Sequence, residues 1–126
     1  MTHKITITSG RLTFPAELND SDTAKAVWEA LPIEASASRW GDEIYFAIPV
    51  RLDEAEDARQ DMQVGELAYW PVGAAFCIFF GPTPVSRGDQ PRAYSNVNPL
   101  GKVHADATAL RAVIDGARIR IEPAAA

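Results

Sequence analysis

The run Ala75-Phe76-Cys77-Ile78-Phe79-Phe80 is apolar at every position. Bounded by Pro71-Val72-Gly73 before it and Gly81-Pro82-Thr83-Pro84 after it, it is too short for a helix of ordinary length and rich in aromatic side chains. It therefore reads as a strand. Successive side chains on a strand point to opposite faces, so a strand with no polar face has to be covered on both sides. The rest of the chain must supply two apolar layers, and this strand is expected at the centre of the core.

The flanking segments read as short β-segments with two helical interruptions. Ile5 and Ile7 alternate with Lys4, Thr6 and Thr8 in a first strand from Thr2 to Thr8, and Gly10 permits a turn into Arg11 to Leu18. The period then changes. Ala24, Val27, Trp28 and Leu31 fall at i, i+3, i+4 and i+7, which predicts a helix capped by Asp20 or Ser21 and stopped by Pro32. Ile33 to Trp40, Glu43 to Ile48 and Glu66 to Trp70 read as further strands, the first two separated by Gly41-Asp42. Val85 to Pro99, rich in Pro, Gly, Ser, Asn and charge, reads as a long loop and hence as a candidate binding rim. After a strand from Leu100 to His104, Ala107, Leu110 and Ile114 suggest a second helix closed by Gly116. Ile119 and Ile121 mark a last strand, and Ala124 to Ala126 a frayed tail. About eight short strands with two helices suit a closed barrel, although the periodicity alone fits a sandwich equally well.

At 126 residues the chain is sized for one hydrophobic core, and residues 1–123 are read as a single domain. Acidic residues outnumber basic ones 17 to 12, giving a net charge of −5, the wrong sign for a nucleic-acid surface. Most of that charge lies between Asp53 and Asp61, which reads as a solvated loop or short surface helix; the carboxylates lack EF-hand spacing. No apolar run is long enough for a membrane span and the first residues lack a secretory core, so the expected location is the cytoplasm. One cysteine, Cys77, and two histidines, His3 and His104, make no recognisable metal pattern, and neither a metal nor a cofactor is expected.

Two sets of motifs resemble known proteins. Gly10-Arg11-Leu12 with Leu18, Thr23-Ala24 and Leu31, then Gly65-Glu66-Leu67-Ala68, Phe76-Cys77-Ile78, Pro82-Thr83-Pro84 and Leu100-Gly101-Lys102-Val103, are similar in order and spacing to cyclophilins. A closer likeness is to the short prokaryotic cyclophilin-like proteins of the Thermotoga type, formerly a domain of unknown function. It is carried by Trp40-Gly41-Asp42-Glu43-Ile44-Tyr45-Phe46, Gly65 to Gly73, Phe79 to Pro84 and Asn98-Pro99-Leu100-Gly101. The resemblance implies a mainly β protein, a closed eight-stranded cyclophilin-like barrel with two short helices. It does not imply an activity. Cyclophilin isomerases use an arginine within a pattern like Arg-x-x-Pro-x-Phe-x-x-Gln-Gly-Gly, whereas this chain reads Ser38-Arg39-Trp40-Gly41-Asp42-Glu43-Ile44-Tyr45-Phe46, and the glutamine expected before Phe76 is Ala75.

Three functions stay open on these residues. The first is a binding module whose groove, walled by Trp40, Tyr45, Tyr69 and Phe76 with Trp70 nearby, takes a proline-containing peptide or a small molecule, because aromatic rings with polar handles suit such guests. Here Glu43, on the face of Tyr45, orients a ligand or pairs with a surface arginine, and Asn98 contributes its amide or simply serves a turn. The second is a divergent prolyl isomerase with Arg39 as the catalytic cation. The third is a partner subunit of an amide-cleaving enzyme, by fold analogy. Cys77 with His104 is a poor nucleophile pair, since burial in an apolar strand disfavours the thiolate.

Overall fold

A computed structural model describes residues 3–125 of the chain; Thr2, where the sequence reading starts the first strand, and Ala126 of the tail lie outside them. The protein is mainly β. Strands β1 (His3–Ser9) and β2 (Leu12–Leu18) form a hairpin across Gly10, whose positive φ of 60° the turn requires. Helix α1 (Asp22–Ala30) follows, with the Ser21 hydroxyl accepting from the Ala24 N–H at 3.1 Å as N-cap. Next come β3 (Ile33–Ser36), β4 (Ser38–Arg39), β5 (Glu43–Ala47), β6 (Arg59–Asp61), β7 (Glu66–Trp70), β8 (Ala75–Phe79) and the long β9 (Arg92–Val103). A 3₁₀ helix (Ala107–Ala112) and β10 (Arg118–Pro123) complete the order.

All pairings among the described strands are antiparallel, in the order β3-β10-β1-β2-β9-β7-β8-β5-β4, with β6 pairing β9 off this path. The closed eight-stranded barrel is therefore corrected. Ten strands form one sheet, and among the described residues no ladder joins its two end strands. Those end strands, β3 and β4, are instead consecutive in the chain and meet at Ala37, whose N–H donates to Ala117 O at 2.7 Å and whose carbonyl accepts from the Gly116 N–H at 2.7 Å. The two extra strands arise where one expected strand breaks at Ala37 and where the acidic stretch contributes β6 to the sheet.

The sheet encloses one main core, to which alternate residues of nearly every strand contribute: Ile5 and Ile7, Phe14 and Leu18, Ile44 and Phe46, Leu67 and Tyr69, Phe76 and Ile78, Ile119 and Ile121. Helix α1 adds Ala24 and Val27. On the opposite face of β7 and β8 lies a second, smaller cluster of Ala68, Cys77 and Phe79 with Met62, Ala93 and Val97. Every residue of β8 is thus buried, and its apolar run is covered on both faces. The cover on the outer side is the first half of β9, which pairs with β6.

That cover corrects a second expectation. Residues 92–99 are strand, although their composition reads as loop. Pro99, which cannot donate to a ladder, sits where the β7–β9 register shifts between Leu67 and Ala68, a place where a strand tolerates proline. The second helix is likewise 3₁₀, and three residues per turn bury Ala107, Leu110 and Val113 while leaving Ile114 exposed.

Candidate functional site

The outer face of β5 carries Glu43 and Tyr45, the counterparts of core-facing Ile44 and Phe46. Glu43 is placed by a tight hairpin: the Trp40 N–H donates to Glu43 O at 3.0 Å, and the Glu43 N–H returns to Trp40 O at 3.2 Å. Gly41, at the turn, has φ +61°, and a Cβ there would press on Pro82, Thr83 and Pro84. Across the sheet, Trp70 ends β7 and its indole N–H donates to the Ser95 hydroxyl at 2.7 Å. Tyr94 of β9 stands between the two indoles, edge-on to each, with ring centroids 6.0 Å from Trp40 and 6.0 Å from Trp70.

These rings, with Tyr45, Ala93 and Val97, line a cavity of about 150 Å³ around Glu43. A cavity of roughly 150 Å³ holds a six-membered ring such as benzene, whereas drug-sized ligands fill roughly 300–1,000 Å³. Its guest is therefore small. A wider, open groove runs between β6 and residues 87–92, along which Arg59 pairs with Glu66 at 2.6 Å and Arg92 with Asp61 at 3.4 Å.

Glu43 is the unusual group. It is only 6% exposed, and its Oε1 has no hydrogen-bond partner. Burial pushes its carboxyl up to about 7, with the Cys77 thiol beside it pulling less strongly the other way. The Cys77 thiol is pushed well above its ordinary value by burial and then by the charge of Glu43, so it stays protonated. Because the folded chain holds the Glu43 proton above the ordinary value of 4.5, the contribution of Glu43 to stability falls as pH rises from about 4.5 to about 7 and is constant beyond. Glu43→Gln is expected to remove that slope and to stabilise the protein by roughly 3 kcal/mol at pH 8, read from urea unfolding at pH 5 and pH 8. An unchanged slope in the variant would place the ionisation elsewhere.

The family model for cyclophilin-like proteins matches residues 3–122. The chain belongs to the cyclophilin-like family. It is also similar to a hypothetical protein of Archaeoglobus fulgidus known from a solution structure, with 36% identity over 97% of this chain and 95% of that one and a TM-score of 0.81. No curated protein matches it.

Within this cyclophilin-like frame, Trp40, Glu43, Tyr45 and Trp70 come together as lining of one cavity. Tyr69 and Phe76 do not join them, because both belong to the main core on the other face. The Tyr69 hydroxyl donates to Val50 O at 2.7 Å and accepts from the Leu52 N–H at 3.1 Å, which ties down the segment after β5. Asn98 acts similarly: it is buried, donates to Thr23 Oγ1 and Asp53 O, and accepts from the Ala55 N–H. Ala93, Tyr94 and Val97 are the members that sequence reasoning missed, since the loop reading of residues 85–99 hid the strand that sets Tyr94 beside Trp70.

Arg39 lies outside the cavity lining. Its Nε donates to Gly41 O, Nη1 to Arg111 O and Val113 O, and Nη2 to Gly41 O and the Asp42 carboxylate, while the guanidinium sits 5.0 Å from the centre of the Phe80 ring. All five guanidinium N–H groups have protein acceptors. His104 pairs with Glu17 at 2.7 Å on the surface, while Cys77 is buried in β8. Among the described residues no group of three or more His, Cys, Asp and Glu is arranged to hold a metal ion, and no helix is long and apolar enough to cross a membrane.

Proposed function

We propose that this cyclophilin-like protein is a non-enzymatic binding module that takes a small molecule, or one side chain of a peptide such as a proline ring, into the cavity formed by Trp40, Tyr45, Trp70 and Tyr94. The observation that carries this reading is the buried Glu43 oxygen with no partner inside an aromatic wall. An unpaired buried polar group costs stability, so it adds nothing to the fold and is suited to a ligand that supplies the missing hydrogen bond. The engaged guanidinium of Arg39 supports binding over isomerisation, because a polarising cation needs a free donor.

Exchange NMR on short X-Pro peptides and ring-sized molecules tests the reading in one sample. Resonances of Trp40, Trp70 and Tyr94 are expected to shift saturably, while cis/trans exchange of the peptides stays at the uncatalysed tens of seconds. Accelerated exchange would overturn the non-enzymatic reading. Absence of any shift at the cavity would overturn the binding site itself.

A further inference from the structure

The geometry points to a compact organic ammonium bearing at least one N–H as the ligand class of this cavity, with its N–H on Glu43 and its charge among the rings of Trp40, Trp70 and Tyr94. This inference rests on the cavity being the binding site, and four features lead to it. The unpartnered atom is a carboxyl oxygen, which asks for a donor rather than an acceptor. The lining contains three large aromatic rings besides Tyr45 and no lysine or arginine, so the cavity offers a cation the negative faces of π-systems and no competing positive charge. The volume of about 150 Å³ limits the guest to a group the size of one ring. Finally, the protein carries a net charge of −5, which favours the approach of cations.

An anion would meet a second negative charge with no counterion, and a quaternary ammonium has no N–H for Glu43 Oε1. A primary, secondary or tertiary ammonium meets both needs. Two sources share this chemistry, a free amine and the charged terminus of a peptide, and an N-terminal proline presents it on a five-membered ring.

Binding of such a cation requires Glu43 ionised, so affinity follows its titration. The titratable groups that share its surroundings are Cys77 from β8, Tyr45 from its own strand and Tyr94 from β9; neighbouring Asp42 is turned to Arg39 and Arg111 instead. Cys77 stays protonated. The carboxyl at about 7 is then the group that titrates between pH 5 and pH 8, and affinity is lost as pH falls.

Calorimetric titration of the native protein tests this with piperidine, which is charged throughout that range, and tetrahydropyran, its neutral ring analogue. Piperidinium is expected to bind more tightly than tetrahydropyran at pH 8 and about 100-fold more weakly at pH 5 than at pH 8, because only about 1% of a group titrating near 7 is ionised at pH 5. Glu43→Gln is expected to weaken piperidinium at least tenfold at pH 8 and to abolish the pH slope. Tetrahydropyran binding as well as piperidinium, without a pH slope, would overturn the ammonium while leaving the cavity as the site. Failure of both probes to bind would overturn the site as well. The dipeptide amide Pro-Ala-NH₂ against its N-acetyl form separates the sources: tighter binding than piperidinium, lost on acetylation, assigns a peptide terminus, and weaker binding than piperidinium assigns a free amine.

Discussion

Arg39→Ala is expected to lower the stability of the protein by about 4 kcal/mol. The guanidinium joins three parts of the chain: the hairpin tip at Gly41 and Asp42, the end of the 3₁₀ helix at Arg111 and Val113, and the Phe80 ring. Truncation leaves the carbonyl oxygens of Gly41, Arg111 and Val113 without this donor at once, and each loss of a charge-assisted bond costs on the order of 1.5–3 kcal/mol before the site relaxes. Arg39 is about three-quarters enclosed, with 22% of its side chain exposed, so screening by water reduces that total rather than removing it. Urea unfolding at neutral pH measures the change. A variant as stable as the native protein would show that the clamp is ornamental, and would return Arg39 to the pool of side chains available for chemistry.

A larger loss is expected from Gly101→Ala. Gly101 lies in β9 with φ +153°, paired to Leu18 of β2 on one side and to Leu67 of β7 on the other. A Cβ at this position is driven into the backbone carbonyl of Glu17 and to 3.0 Å from the Leu18 Cα. The obstacle is backbone, so no side chain can swing away, and β2 has to part from β9. Adjacent bonds between the same strands, Asn19 N–H to Leu100 O at 2.6 Å and His104 N–H to Pro15 O at 2.8 Å, would be strained together. The cost is put at more than about 4 kcal/mol, a large share of the roughly 5–15 kcal/mol that holds a domain of this size together. Gly88→Ala is the control, since a Cβ there meets nothing within 4 Å, and it should change stability by no more than about 0.5 kcal/mol. Circular dichroism and urea midpoints compare the two; native-like stability of Gly101→Ala would refute the argument from close approach.

The sequence carries most of the strand content and the family. Alternation in β1 and β10 and the apolar run of β8 are local signals, and so is the Ser21 cap. The way the two ends of the sheet meet is not local. Whether Ile33 to Trp40 is one strand or two depends on Ala37 reaching Gly116 and Ala117, which stand far along the chain. The candidate site divides in the same way. The residues offer Trp40, Glu43, Tyr45 and Trp70 together with Tyr69, Phe76 and Asn98; the first four line one cavity, whereas Tyr69 and Phe76 occupy the inward phase, which only the pairing of β7 with β8 fixes. Tyr94 could not be found from composition, because Pro, Gly and Ser around residues 85–91 mask the start of β9.

The meeting of β3 and β4 at Ala37 bears on how the protein behaves at high concentration. A sheet with two ends exposes unpaired N–H and C=O groups along its outermost strands, and those rows are templates on which another chain can align. Here the outermost strands are four and two residues long, and the link between them is fastened to Gly116 and Ala117. So short a margin gives an incoming strand little to grip, and the fold resists edge-to-edge aggregation without needing the last ladder that a complete barrel would have.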